Sequence, residues 1–168
     1  MTTVAASYNA KCEFVETRTL AEDLATDPVF THTLNHSGTM NASSAVVVSE
    51  CWSDTVALSS GTATIDLTAL TRGNGGATAV NMSGLKVQIF KFENVSTNTA
   101  AITITDGASN GYNIFGDASG QVTLGIGCVL QVVCPTAEYL PDVAAGAKDI
   151  DLSSSDQDAT INVMLAAG

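Results

Sequence analysis

The sequence is poor in positive charge. Six Lys and Arg residues face seventeen Asp and Glu across 168 residues, a net charge of -11. A nucleic-acid backbone is held by a basic face, so the balance argues against DNA or RNA as a partner. It also disfavours an anionic membrane surface. The opening residues Met1-Thr2-Thr3-Val4-Ala5-Ala6-Ser7 carry no basic or apolar leader, and no apolar run approaches the length of a membrane span. Synthesis in a cytoplasm is therefore expected.

Chemical signatures are missing too. No phosphate-binding loop or paired Cys and His site occurs, which lowers the expectation of an enzyme. Without a Cys-x-x-Cys, a zinc knuckle is not expected. Cys12, Cys51, Cys128 and Cys134 do not have the spacing of a compact disulfide scaffold, and are expected as reduced, buried thiols in strands. His32 and His36 are the only histidines. They lie on or near a strand with no third ligand nearby in sequence, so surface histidines are expected rather than a metal site. Asp149, Asp151, Asp156 and Asp158 cluster without the spacing or closing Glu of a calcium-binding loop; a solvated acidic turn is the expectation. Sequons at Asn35, Asn41, Asn81 and Asn94 read as chance matches without a secretory leader. No cofactor and no metal are expected.

What is present points to β-structure. The chain is 45% hydrophobic and only 14% charged, and is rich in Thr, Ser, Ala, Val and Gly, which suits strands and turns better than helices. Alternation predicts strands over residues 11–19, 29–34, 45–52, 85–94, 101–105, 121–124, 128–133, 149–152 and 159–165. A hairpin is expected from 55–58 and 62–67 around Ser59-Ser60-Gly61, and residues 35–44 read as a polar loop. Thr19-Leu20-Ala21-Glu22 has capping-box form, so one or two helical turns could run to Ala25. The expected fold is all-β: an antiparallel β-sandwich, jelly-roll-like, with at most one or two short helices. Residues 1–10 read as an N-terminal arm and 11–168 as a single sandwich domain.

Two stretches carry further expectations. In residues 85–94, Leu85, Val87 and Ile89 point one way, while Phe90 and Phe92 point the other. Either a bulge between Ile89 and Phe90 returns both sets to the core, or the strand is buried on both faces. The bulge is preferred because it turns Lys86, Gln88, Lys91 and Glu93 outward. Residues 101–105 should pair antiparallel with this strand. The Gly-rich loop 106–117 contains Gly111, Tyr112, Ile114 and Phe115, whose apolar side chains either fold under the loop or anchor a partner. Thr2, Thr3 and Tyr8 of the arm are the other contact candidates.

Several runs resemble a known class. They are Asp66-Leu67-Thr68-Ala69-Leu70-Thr71, Gly84-Leu85-Lys86-Val87-Gln88, Phe92-Glu93-Asn94-Val95-Ser96-Thr97-Asn98, Ala101-Ile102-Thr103-Ile104, Gly111-Tyr112 and Val122-Thr123-Leu124-Gly125. Together they resemble small β-sandwich structural proteins of tailed phages, in particular capsid decoration (cement) proteins of jelly-roll type. The resemblance spans roughly Asp66 to Val133 and is one of pattern; in related chains the turn at Gly125-Ile126-Gly127-Cys128 often reads Pro-Gly-Gly. It implies a non-enzymatic virion protein on the outer face of the shell. Made in the host cytoplasm, it would bind the major capsid protein as a homotrimer at local threefold positions. No catalytic residues come with the class. A tail or collar component is an alternative. A carbohydrate-binding or adhesin module is another, and would need exposed aromatics among Trp52, Tyr8, Tyr112 and Tyr139.

Overall fold

The computed structural model describes residues 4–17, 29–71, 79–116, 119–135 and 140–168. Ten strands and no helix form among them. The possible helix at Thr19 to Ala25 lies outside the described residues. The chain divides into two units, Ser7–Thr39 and Met1–Ala6 with Met40–Gly168.

The smaller unit is a β-ribbon. Strands β1 (Ala5–Thr17) and β2 (Val29–Asn41) form a two-stranded sheet. Residues 5 to 10 of the expected arm are therefore strand, and so is much of the expected polar loop after Leu34. Cross-strand contacts fix the pairing: the hydroxyls of Ser7 and Thr39 meet at 3.2 Å, and Thr33 Oγ1 donates to Glu13 at 3.4 Å. Tyr8 stacks on His36 with ring centroids 5.4 Å apart. Gly38 leaves room for that ring, since a Cβ there would lie 2.6 Å from the Tyr8 hydroxyl.

The larger unit is the sandwich. Its strands are β3 (Glu50–Ala57), β4 (Thr62–Asp66), β5 (Val87–Asn94), β6 (Ile102–Asp106), β7 (Gln121–Leu124), β8 (Val129–Val133), β9 (Asp149–Ser154) and β10 (Thr160–Ala167). Folded back on itself, the chain pairs β3 with β10, β4 with β9, β5 with β8 and β6 with β7, all antiparallel. Rolling up that ladder adds the pairs β10–β5 and β9–β6. The resulting sheets are β3-β10-β5-β8 and β4-β9-β6-β7, the wrapped arrangement of a jelly roll.

Most consecutive strands therefore lie in opposite sheets, which explains two corrections. The expected hairpin around Ser59-Ser60-Gly61 is a real turn, with positive φ at Ser60 and Gly61. It carries the chain from one sheet to the other, held by the bridge of Ser59 to Thr62. A side chain at Gly61 would also meet the carbonyl of Ser154. Strand β6 likewise pairs with β7 and β9, not with β5. Residues 45–49 are not strand; β3 begins at Glu50 and continues past the expected strand end at Trp52, through Ser53-Asp54 to Ala57.

Inward residues of both sheets interdigitate. Trp52, Phe90, Phe92, Ile161, Val163 and Leu165 from one sheet belong to one buried cluster with Ile65, Ile102, Ile104, Ile150 and Leu152 from the other. Strand β5 does contain a bulge, one step earlier than expected. Ala166 pairs with Ile89 and Ala167 with Val87, so Gln88 is the extra residue. Val87 joins Phe90 and Phe92 in the core, whereas Ile89 is buried outside the main cluster. Gln88, expected to face water, is buried, and neither its side-chain amide oxygen nor its nitrogen has a hydrogen-bond partner among the described residues.

One end of the sandwich is tied by a buried polar pair. Asn94 Nδ2 donates to the carbonyls of Ala100 and Leu124, at 3.1 and 2.9 Å. Asn98 Nδ2 donates to Asn94 Oδ1 and to the Thr160 carbonyl, both at 2.6 Å, and Asn98 Oδ1 accepts from Thr160 N. The turn after β5 is thus fastened to the end of β7 and the start of β10.

Candidate docking surface

The Gly-rich loop folds under itself, the first of the two outcomes weighed for it. Tyr112 and Ile114 are fully buried in the sandwich core, and Phe115 packs against it. Gly111 is half-buried and bridges to Asp149, beside the Gly107 backbone. The side chains of Tyr112 and Ile114 are committed to the interior, and Phe115 is half-buried against it. The Tyr112 hydroxyl donates to the Pro141 carbonyl at 2.9 Å and accepts from Val87 N at 3.2 Å. Desolvation pushes its pKa up to about 12. Because the folded value lies above the unfolded one near 10, this contribution to stability is intact below pH 10 and lost as pH rises toward 12. A phenolate absorbance titration should therefore show Tyr112 ionising only well above pH 10, in step with unfolding; ionisation of Tyr112 near pH 10 in the folded protein would contradict the burial.

The carboxylates of the C-terminal region brace loops. Asp151 accepts from Thr64 Oγ1 and Ala108 N, and Asp156 from the backbone and hydroxyl of Thr99. Those Thr99 bonds lower the Asp156 pKa. Lys148 bridges Asp149 and Asp66. Burial works to raise the Asp66 pKa, but Lys148 and Thr68 outweigh it and hold the carboxyl below its usual range. Among the described residues no group of three or more His, Cys, Asp or Glu could hold a metal. No disulfide joins the four cysteines, but the burial expected of them is not found: Cys12 and Cys128 are exposed, Cys51 and Cys134 are half-buried, and Cys128 and Cys134 flank β8 instead of lying in a strand.

A cleft of about 210 Å³ lies between the edge strands β3 and β4, lined in part by Trp52, Asp54, Thr64, Asp66 and Thr71. Trp52 is only 7% exposed, and its Nε1 donates to the Thr71 carbonyl at 2.6 Å. The ring is a wall of the core and offers no open platform for a sugar. Tyr112 is equally buried, and Tyr139 lies outside the described residues.

What remains is the ribbon. Thr2 and Thr3 fall outside the described residues, but Tyr8 sits on β1 in the stack with His36. Since odd residues meet across the strands, the even ones share the opposite face. That face gathers Tyr8, Cys12, Phe14, His32, Leu34 and His36; the other carries Ser7, Lys11, Glu13, Thr33 and Thr39, with Val15 and Val29 exposed at the end near Thr17. Phe14 is 65% and Leu34 74% exposed. A polar loop over residues 35–44, as the sequence suggests, would leave no such surface; β2 instead runs to Asn41. Its signal was the polar alternation Thr31, Thr33, Asn35, Ser37, Thr39, which runs unbroken to the end of β2. No helix among the described residues is long and apolar enough to cross a membrane. No family model matches the sequence, and no curated protein matches it.

Proposed function

We propose that the protein is a non-enzymatic decoration protein of a tailed-phage head, docking on the outer face of the shell and stabilising it. The partner is the major capsid protein, and the protein acts as a homotrimer. One observation carries the docking part: the two most exposed large apolar side chains among the described residues, Leu34 and Phe14, lie together on one face of the ribbon, beside Tyr8. An isolated two-stranded ribbon is marginal in water, and a surface of this kind is stabilised by covering it. The jelly-roll order and the resemblance given above support the virion part. The net charge of -11 suits approach to a basic patch, an attraction that weakens with salt.

The test is co-sedimentation with purified shells. The intact protein should pellet with shells and raise their resistance to heat. Phe14→Ser with Leu34→Ser should abolish pelleting while leaving the circular dichroism of the sandwich unchanged, since both side chains are exposed. If the double variant decorates at full occupancy, the ribbon is not the docking surface. If the intact protein neither oligomerises nor pellets, the virion role fails; glycan-array binding would then favour the carbohydrate-binding role.

A further inference from the structure

The two sides of the sandwich differ in charge. On one side the edge strands β3 and β4 carry Glu50, Asp54 and Asp66. On the other, β7 and β8 are the edges, and residues 121–134 contain no charged residue at all. Natural sheets block their edges with charge, proline, bulges or a covering segment. Strand β8 has no charge or proline, and its register with β5 runs without a shift. Val129 is 51% exposed. For a chain of net charge -11, this is where a second copy meets the least repulsion.

The free edge has a definite hydrogen-bonding parity. Asn94 N donates to the Cys128 carbonyl at 3.0 Å, and Cys134 N donates to the Gln88 carbonyl at 2.8 Å. Backbone groups alternate sides along a strand. Even residues of β8 therefore bond to β5, and Val129, Gln131 and Val133 aim their N–H and C=O groups outward. The sequence around that edge reads nearly the same in both directions: Cys128-Val129-Leu130-Gln131-Val132-Val133-Cys134. Self-complementarity of this kind is what a twofold interface requires.

We infer that β8 is a self-pairing edge, through which two copies of this chain join antiparallel about a twofold axis at Gln131. Val129 then exchanges hydrogen bonds with the partner's Val133, and Gln131 with the partner's Gln131. Leu130 lies beside the partner's Val132. A one-residue slip would set outward-bonding residues against inward-bonding ones and mismatch the faces. A two-residue slip would leave one outward residue of each strand unpaired. The chosen register sets Cys128 opposite the partner's Cys134 as a non-hydrogen-bonded pair, with Cα atoms about 4.5 Å apart, inside the range a disulfide spans. The inference stands apart from the shell-docking role; within a decorated shell, such a contact would link copies from neighbouring trimers.

The experiment uses purified full-length protein without shells. Light scattering should give a mass that contains the twofold pair. Gln131→Pro removes an N–H that faces solvent in one copy, where proline is tolerated, and Gln131→Lys sets like charges opposite each other on the axis. Both variants should halve the assembly mass with circular dichroism unchanged. Two equivalents of copper(II) phenanthroline, each taking one electron to become copper(I) while the two thiols release two protons, should give a covalent dimer. Its linked peptides should join Cys128 to Cys134 between copies. Unchanged mass in either folded variant, or crosslinks that join other cysteines, would overturn the inference. A failure here with normal shell binding leaves the decoration role standing, and the reverse outcome separates them equally well.

Discussion

Phe92→Ala is expected to destabilise the sandwich by about 3–5 kcal/mol. Phe92 is fully buried on β5, between β10 and β8. It pairs with Val163 on one side and Leu130 on the other, and its ring lies 6.0 Å from that of Phe90. Truncation removes a large apolar volume from between two stiff sheets that cannot collapse to fill it, so cavity and transfer costs add. Urea unfolding of both proteins measures the difference. A loss below about 1 kcal/mol would mean that the site relaxes freely, contrary to close packing.

The second large effect is expected from the buried amides. Asn94→Ala strands the carbonyls of Ala100 and Leu124 and leaves Asn98 Nδ2 with one acceptor fewer. Leaving buried polar groups unpaired costs about 1–3 kcal/mol each, so a total of about 2–4 kcal/mol is expected after partial rescue by water. Asn98→Ala breaks the same network from its other end, at Thr160. Because the two side chains share a hydrogen bond, their losses should fall short of additivity in a double-mutant cycle by more than about 0.5 kcal/mol. Strict additivity would show that the two residues act separately.

The all-β class was legible because period-two patterns survive in each strand. Residues 121–124, 128–133, 149–152 and 159–165 were placed within two residues of β7 to β10. Partner choice was not legible. Alternation states which face of a strand is buried, and a core between two sheets looks the same from either one, so β6 was paired with β5. The segment 45–49 misled for a related reason. Val46 and Val48 are buried, but they approach the body of the protein as irregular chain, and propensity alone cannot separate that from strand. At Gln88 the physical rule was right and its placement wrong. A phase flip demanded an extra residue somewhere in β5, and a buried amide was the less natural place for it. Tyr112 and Ile114 were visible as apolar side chains in a polar loop, yet only the structure shows that the core, not a partner, receives them.

The position of β10 bears on how the chain can be made. It lies between β3 and β5, which have no other neighbour in common, yet it follows both in the sequence. During synthesis those two strands emerge early and wait, each with a bare edge, until the end of the domain has cleared the ribosome. Early hairpins cannot substitute, because most neighbours along the chain belong to opposite sheets. Folding must close long loops before it gains ladder bonds, which places the protein among slow folders, in the range of roughly milliseconds to seconds. That interval of exposed edges is when misassembly competes with folding, and repulsion between chains of net charge -11 works as a safeguard.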